Sequence, residues 1–173
     1  PIWRYRGLFL LSFCLIGINF SDLLTLRGDN FIDGRIIFRR RKTHKVYSIF
    51  MHPKASEILN GFMGKAAEGF YLPFVVDKND PQLLKKDILQ VIKTTNEYLR
   101  KIAKLCEIDK PVSTYYARYS WANIAKSQGY SKDMIAEALG HEYGNRVTGI
   151  YLDNYDNEII DKMSEQVIKA VFT

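Results

Sequence analysis

From Pro81 to about Cys106 the chain carries an unbroken helical pattern, with Leu84, Ile88, Val91, Ile92, Leu99 and Ile102 at helical spacing and Pro81 at the start. A helix this long presents an apolar stripe that has to be covered, so the fold must bring other apolar elements to it. The stretch Leu8 to Ile18 is the most apolar in the chain, interrupted by Ser12 and Gly17. It is too short to cross a bilayer, which takes ~20 residues. Arg4 and Arg6 precede it, but no small-residue cleavage site follows, as a secretory leader would require. It reads as a buried core helix.

The remaining elements fall between these two. A helix is expected from about Tyr5 to Gly17, and a short one from Ser21, whose hydroxyl can cap free amides. Asn30 to Ile32, Arg35 to Arg40 and Val46 to Met51 read as a small antiparallel sheet, with Asp33-Gly34 as a hairpin turn. Pro53 opens a helix through Phe62, and the glycines from Gly61 to Gly69 and the span Pro73 to Pro81 mark irregular connections. Helices near Ser113 to Gln128 and Ser131 to Leu139 end at Gly129 and Gly140. Ile159, Ile160, Met163, Val167, Ile168 and Val171 form the apolar stripe of a terminal helix. The fold class expected is α+β, mostly α-helical, in one domain over residues 1–173.

Charge and cysteine usage narrow the functional classes. Lys and Arg outnumber Asp and Glu by 25 to 19, a net +6 with a pI near 9.2, which favours a polyanionic partner without selecting one. Cys14 and Cys106 show neither metal-ligand spacing nor a disulfide framework, in keeping with a reducing cytoplasm. His44 and His52 have no third ligand at metal spacing and read as structural or exposed. Phe9, Phe13, Tyr98 and Trp121 read as core.

One group of residues carries chemistry. Arg118 stands inside a helical run, Leu139-Gly140-His141 follows about twenty residues later, and Thr148-Gly149-Ile150-Tyr151 comes next. A guanidinium matches two phosphate oxygens, an imidazole donates a hydrogen bond or moves a proton near neutral pH, and a tyrosine oxygen can attack phosphorus. Residue types and order resemble the tyrosine recombinases, the phage-integrase family, over roughly Leu8 to Tyr155. The second family arginine falls on Arg118, the Leu-Gly-His motif on His141, the nucleophile on Tyr151 and the strand-turn lysine on Lys42. Gly17-Ile18-Asn19-Phe20-Ser21-Asp22-Leu23 is similar to the family's Gly-x-Arg-x-Ser-Glu-Leu. Two positions depart from the pattern: Asn19 stands where the family has its first arginine, and Tyr115 where it has a histidine. Integrases of conjugative and mobilisable elements include members without the first arginine.

The resemblance implies a catalytic domain of a site-specific DNA recombinase or integrase, with the family's N-terminal DNA-binding domain lying outside this chain. Tyr151 would form a 3′-phosphotyrosyl link and release a 5′-hydroxyl, with Lys42 as general acid and Lys45 as its understudy. The link conserves bond energy, so no cofactor is implied. The partners implied are double-stranded DNA and a homo-tetramer on recombining DNA, the isolated domain being a monomer without a membrane. Arg39, Arg40, Arg41 and Lys45 are the candidate DNA-backbone contacts, although such a basic run also reads as a solvated hairpin face. Arg118 also reads as a surface arginine, and His141 as a helix cap. Tyr143 and Tyr155 are rival nucleophiles. Loss of function at Asn19 and Tyr115 would leave a DNA-binding relic or regulator, and a topoisomerase-like DNA-relaxing enzyme would use the same tyrosine chemistry.

Overall fold

The structure is a computed structural model and describes residues 1–41, 44–62, 69–141 and 155–172. Helix α1 (Ile2–Cys14) buries Leu8, Leu11, Phe13 and Cys14. The helix expected to run on to Gly17 stops short because Ile16 and Gly17 both take left-handed backbone (φ 57° and 62°), through which no right-handed helix continues. Glycine is required at 17 for a second reason: a Cβ there would run into the backbone of Arg118. Helix α2 (Phe20–Leu23) begins one residue before the expected Ser21. The Asn19 carbonyl accepts from the amides of Asp22 (3.0 Å) and Leu23 (2.9 Å), so the backbone of Asn19, and not the Ser21 hydroxyl, starts the helix.

A 3-10 turn (Gly28–Asn30) leads into β1 (Phe31–Ile32), β2 (Arg35–Arg39) and β3 (Val46–Phe50), an antiparallel sheet of order β1-β2-β3. Asp33 and Gly34 both have positive φ (48° and 73°), the conformation whose twist suits a two-residue hairpin. In β2, Ile36 and Phe38 are buried while Arg39 is exposed, and Phe38 faces Tyr47 across the β2–β3 pair with rings stacked at 5.3 Å.

Helix α3 (Pro53–Asn60) has Pro53 in its first turn and His52 as its cap, with Nδ1 accepting from the Lys54 amide at 3.0 Å. His52 is thus structural. Helix α4 (Pro81–Leu105) is capped by Asp80, whose Oδ1 accepts from Gln82 and Leu83. Its stripe divides: Leu84, Ile88 and Leu99 are buried, while Val91, Ile92 and Ile102 lie half-buried at its edges. Helices α5 (Tyr115–Ser127) and α6 (Lys132–Ala138) end at Gly129 and Gly140, both with positive φ. Helix α7 (Asn157–Phe172) turns Met163, Val167 and Ile168 inward and leaves Ile159 and Val171 exposed.

Helix α1 is the hub, packed by α3, α4 and α5, while α7 lies against α5 and β3 of its own chain. The architecture is α+β, mostly helical, with a small antiparallel sheet. Among the described residues no helix is long and apolar enough to cross a membrane, and no group of three His, Cys, Asp or Glu is placed to hold a metal.

Candidate functional site

The buried face of α5 comprises Ala117, Arg118, Trp121 and Ala125, residues that share one side at helical spacing. Arg118 therefore points into the protein, 9% exposed, and is not a surface arginine. Two helix ends converge on it. The turn after α1 aims the Gly17 carbonyl at Arg118 Nη1 (3.0 Å), and the end of α6 offers the Leu139 carbonyl to Nη2. Both acceptors are neutral, so the guanidinium is held without being neutralised. Burial lowers its pKa, and nearby Arg40 acts in the same direction.

His141 reaches the site through the cap of α6. Its amide donates to the Ala136 carbonyl (2.8 Å) and the Gly140 amide to the Glu137 carbonyl (2.8 Å), the paired bonds of a Schellman motif. A Cβ at Gly140 would collide with the Tyr47 hydroxyl, so only glycine lets this turn close against β3. The cap leaves the imidazole free, with Nε2 3.3 Å from Arg118 Nη2. Capping and site membership thus coexist in one residue. The protein wall against the ring, then Arg118 and Arg40, push the His141 pKa below its usual value. At neutral pH the ring is uncharged, able to donate one hydrogen bond and accept another.

Asn19, half-buried, lines a small pocket together with Arg40, Tyr47, Arg118 and Leu139. Tyr47 Oη donates to the Leu139 carbonyl at 3.2 Å, so Tyr47 and Arg118 share one acceptor. Tyr115 is placed differently. It is 66% exposed on the first turn of α5, close enough to act electrostatically on Arg118, but no hydrogen bond joins it to Arg118 or His141 among the described residues.

The basic run divides by side. Arg39 is exposed and donates to the His44 carbonyl (2.9 Å), and Arg41 and Lys45 are exposed. Arg40 turns inward: its side chain is 12% exposed and its Nη1 lies 3.4 Å from both Tyr47 Oη and the Gly140 carbonyl. Asp22, 5% exposed, accepts from the Arg41 amide (3.2 Å) and lies 3.9 Å from Arg40 Nε. Burial raises the Asp22 pKa, against the Arg41 amide and the Arg40 charge, which lower it. Lys42, Tyr143 and Tyr151 lie outside the described residues. Tyr155, the other rival nucleophile, is partly exposed ahead of α7, its amide donating to Glu137 Oε1 at 2.7 Å.

Asp22 and Tyr47 belong to this site although neither was picked out as a site residue. Tyr47 faces Phe38 and shares a side with Ile49, so strand alternation carried its signal; Asp22 stands at the Glu of the Gly-x-Arg-x-Ser-Glu-Leu segment, which was its signal. Arg118, the largely buried Arg40 and the half-buried Asn19 line one small, mostly apolar pocket together with the carboxylate of Asp22, and the His141 imidazole stands beside Arg118. No family model, no curated protein and no solved structure matches this chain.

Proposed function

We propose that this chain is the catalytic domain of a tyrosine-recombinase-type DNA recombinase, acting on double-stranded DNA as a tetramer in the cytoplasm. The observation that carries the reading is the meeting of Arg118 and His141. They stand 23 residues apart in sequence and 3.3 Å apart in space, and the arginine's other hydrogen bonds go to the neutral carbonyls of Gly17 and Leu139. Such a guanidinium keeps its charge for a phosphate, and the neutral imidazole beside it can donate to a non-bridging oxygen.

In the reaction, the Tyr151 oxygen, its proton passing to solvent, bonds to the scissile phosphorus while the bond from phosphorus to the 5′ oxygen breaks. Lys42 gives its proton to the departing oxygen, leaving a 3′-phosphotyrosyl link and a free 5′-hydroxyl. A 5′-hydroxyl from a partner strand then attacks the link and restores Tyr151. Arg118 neutralises the charge that builds on phosphorus oxygens in both directions.

A nicked suicide duplex, which loses its 5′-hydroxyl after cleavage, tests the reading. Wild-type protein is expected to become covalently attached, and Tyr151→Phe is expected to bind DNA within a few-fold of wild type without attaching. Equal attachment by Tyr151→Phe would move the nucleophile to Tyr143 or Tyr155. Binding without attachment by the wild type would identify a DNA-binding relic. Attachment with relaxation of supercoiled DNA, but without exchange between two marked duplexes, would identify a topoisomerase-like enzyme.

A further inference from the structure

Tyr47 stands on β3 opposite Phe38, and the two rings stack at 5.3 Å with 18° between their planes. Ladder and stack together fix where the ring points. They deliver its hydroxyl to the end of α6, where Oη donates to the Leu139 carbonyl at 3.2 Å. The hydroxyl occupies the room that a side chain at Gly140 would need, since a Cβ there would fall 0.9 Å from Oη. The Leu139 carbonyl belongs to the helix end, where α6 has no amide of its own to offer. It has two lone pairs, and donors from two other elements take them: the Tyr47 phenol from β3 and Arg118 Nη2 from α5.

The consequence reaches beyond the helix end. The carbonyl that receives Tyr47 is the one that orients Arg118, and the turn that follows it carries His141, whose Nε2 lies 3.3 Å from Arg118 Nη2. Held by one donor, such a carbonyl can swing about that bond; held by two from separate elements, it has one direction left. The residue type at 47 matters too. Oη lies 3.4 Å from Arg40 Nη1, so the phenol accepts on one side and donates on the other, a pair of roles open to a hydroxyl and closed to an ammonium or a guanidinium. It ties the turn down without adding a further charge beside Arg40 and Arg118. We propose that Tyr47 is a positioning residue, whose hydroxyl pins the Leu139 carbonyl and through it sets the Arg118 guanidinium and the His141 imidazole against one another. Its effect on DNA cleavage rests on the recombinase reading; the pin itself rests on the geometry.

The test compares two hydroxyl deletions in the full chain. Tyr47→Phe keeps the ring and its stack on Phe38 but removes the donor. Tyr130→Phe removes a phenol that donates to Gln166 Oε1 at 2.9 Å, a surface tie outside the site, and serves as the control. The chain has three histidines, and their imidazole signals are followed by NMR. Tyr47→Phe is expected to shift the His141 signals and leave those of His52 in place, and Tyr130→Phe to leave both. A para-aminophenylalanine in place of Tyr47 restores a neutral donor and is expected to return the His141 signals toward wild type. Thermal melts check folding; should Tyr47→Phe fail to fold, the amino variant carries the test against wild type by itself. On the suicide duplex, Tyr47→Phe is expected to attach about 10-fold more slowly with DNA affinity within about twofold, whereas a purely structural role would lower the melt and leave the attachment rate of the folded protein unchanged. His141 signals indifferent to Tyr47→Phe, or not restored by the amino variant, overturn the pin. Attachment at the wild-type rate by Tyr47→Phe overturns its role in cleavage and leaves the recombinase standing. No attachment by the wild type, with His141 signals still dependent on the Tyr47 hydroxyl, overturns the recombinase and leaves the pin.

Discussion

Arg35 and Arg118 are both drawn into the body of the protein, and they are satisfied in opposite ways. Arg35, on β2, donates through Nη1 and Nη2 to the two oxygens of Asp161 on α7 (2.6 and 3.0 Å) and through Nε and Nη2 to Ser48 (2.6 and 3.0 Å). Its charge is matched by a carboxylate, and its donors fix the terminal helix to the sheet. Arg118 is oriented just as firmly, but by the carbonyls of Gly17 and Leu139. Orientation and neutralisation are separate operations. An arginine given both is a fastener, and one given only the first keeps its field available to a ligand.

Exchanging the two arginines for alanine breaks this comparison most sharply. Arg118→Ala is expected to lower covalent attachment to a suicide duplex by at least ~100-fold with DNA affinity changed only a few-fold, and Arg118→Lys to rescue it poorly. Arg35→Ala is expected to do the reverse: about 2 kcal/mol lost in urea unfolding, from the charge-assisted bonds to Asp161, with attachment within a few-fold once the protein is folded. Equal effects of both variants on attachment would erase the distinction.

The next effect in size concerns the turn that aims the Gly17 carbonyl. Gly17→Ala places a Cβ against the Arg118 backbone at φ 62° and is expected to cost about 2 kcal/mol or more, read as a lowered urea midpoint. Gly34→Ala, at a hairpin glycine also of positive φ but with open space around it, is expected to cost less.

A pH series sharpens the contrast further. The folded His141 imidazole takes up a proton less readily than the unfolded one, so as pH falls through about 6.5 the unfolded chain binds more protons and the fold loses stability. His141→Gln cannot titrate. Its Tm relative to wild type is expected to rise as pH falls from about 7.5 to about 5.5, and a gap independent of pH would show that the protein wall, Arg118 and Arg40 leave the imidazole unperturbed.

The smallest effect probes the buried side of α1. Burial pushes the Cys14 thiol up to about 12, whereas Cys106 is exposed. Native protein is expected to show one thiol reacting rapidly with a disulfide reagent, and the second only at the rate of unfolding.

The helices were legible in the sequence because capping and periodicity are local. Asp80-Pro81 and the stripe from Leu84 onward announced α4, and Gly129 and Gly140 announced the ends of α5 and α6. Ile16 was not legible as a helix stop, since nothing local marks a β-branched residue for the left-handed backbone it takes (φ 57°). The pairing of Arg118 with His141 was legible as a motif. The inward turn of Arg40 was written in the alternation of Ile36 and Phe38 but obscured by the basic residues around it. The contact of Asp22 with the Arg41 amide was not legible at all, because it joins elements whose relative placement only the tertiary fold decides.

The bond from Arg118 to Gly17 closes a loop of 101 residues, and the one to Leu139 closes another of 21. In kinetic terms these are costly contacts, formed only after the intervening helices have found one another. A nascent chain that has packed α1 on α4 but not yet acquired α6 has the Arg118 side chain without the second of its two carbonyls. The cation cluster is therefore a late product of folding, and loosening of α6 alone dissolves it while most of the hydrophobic core stays intact.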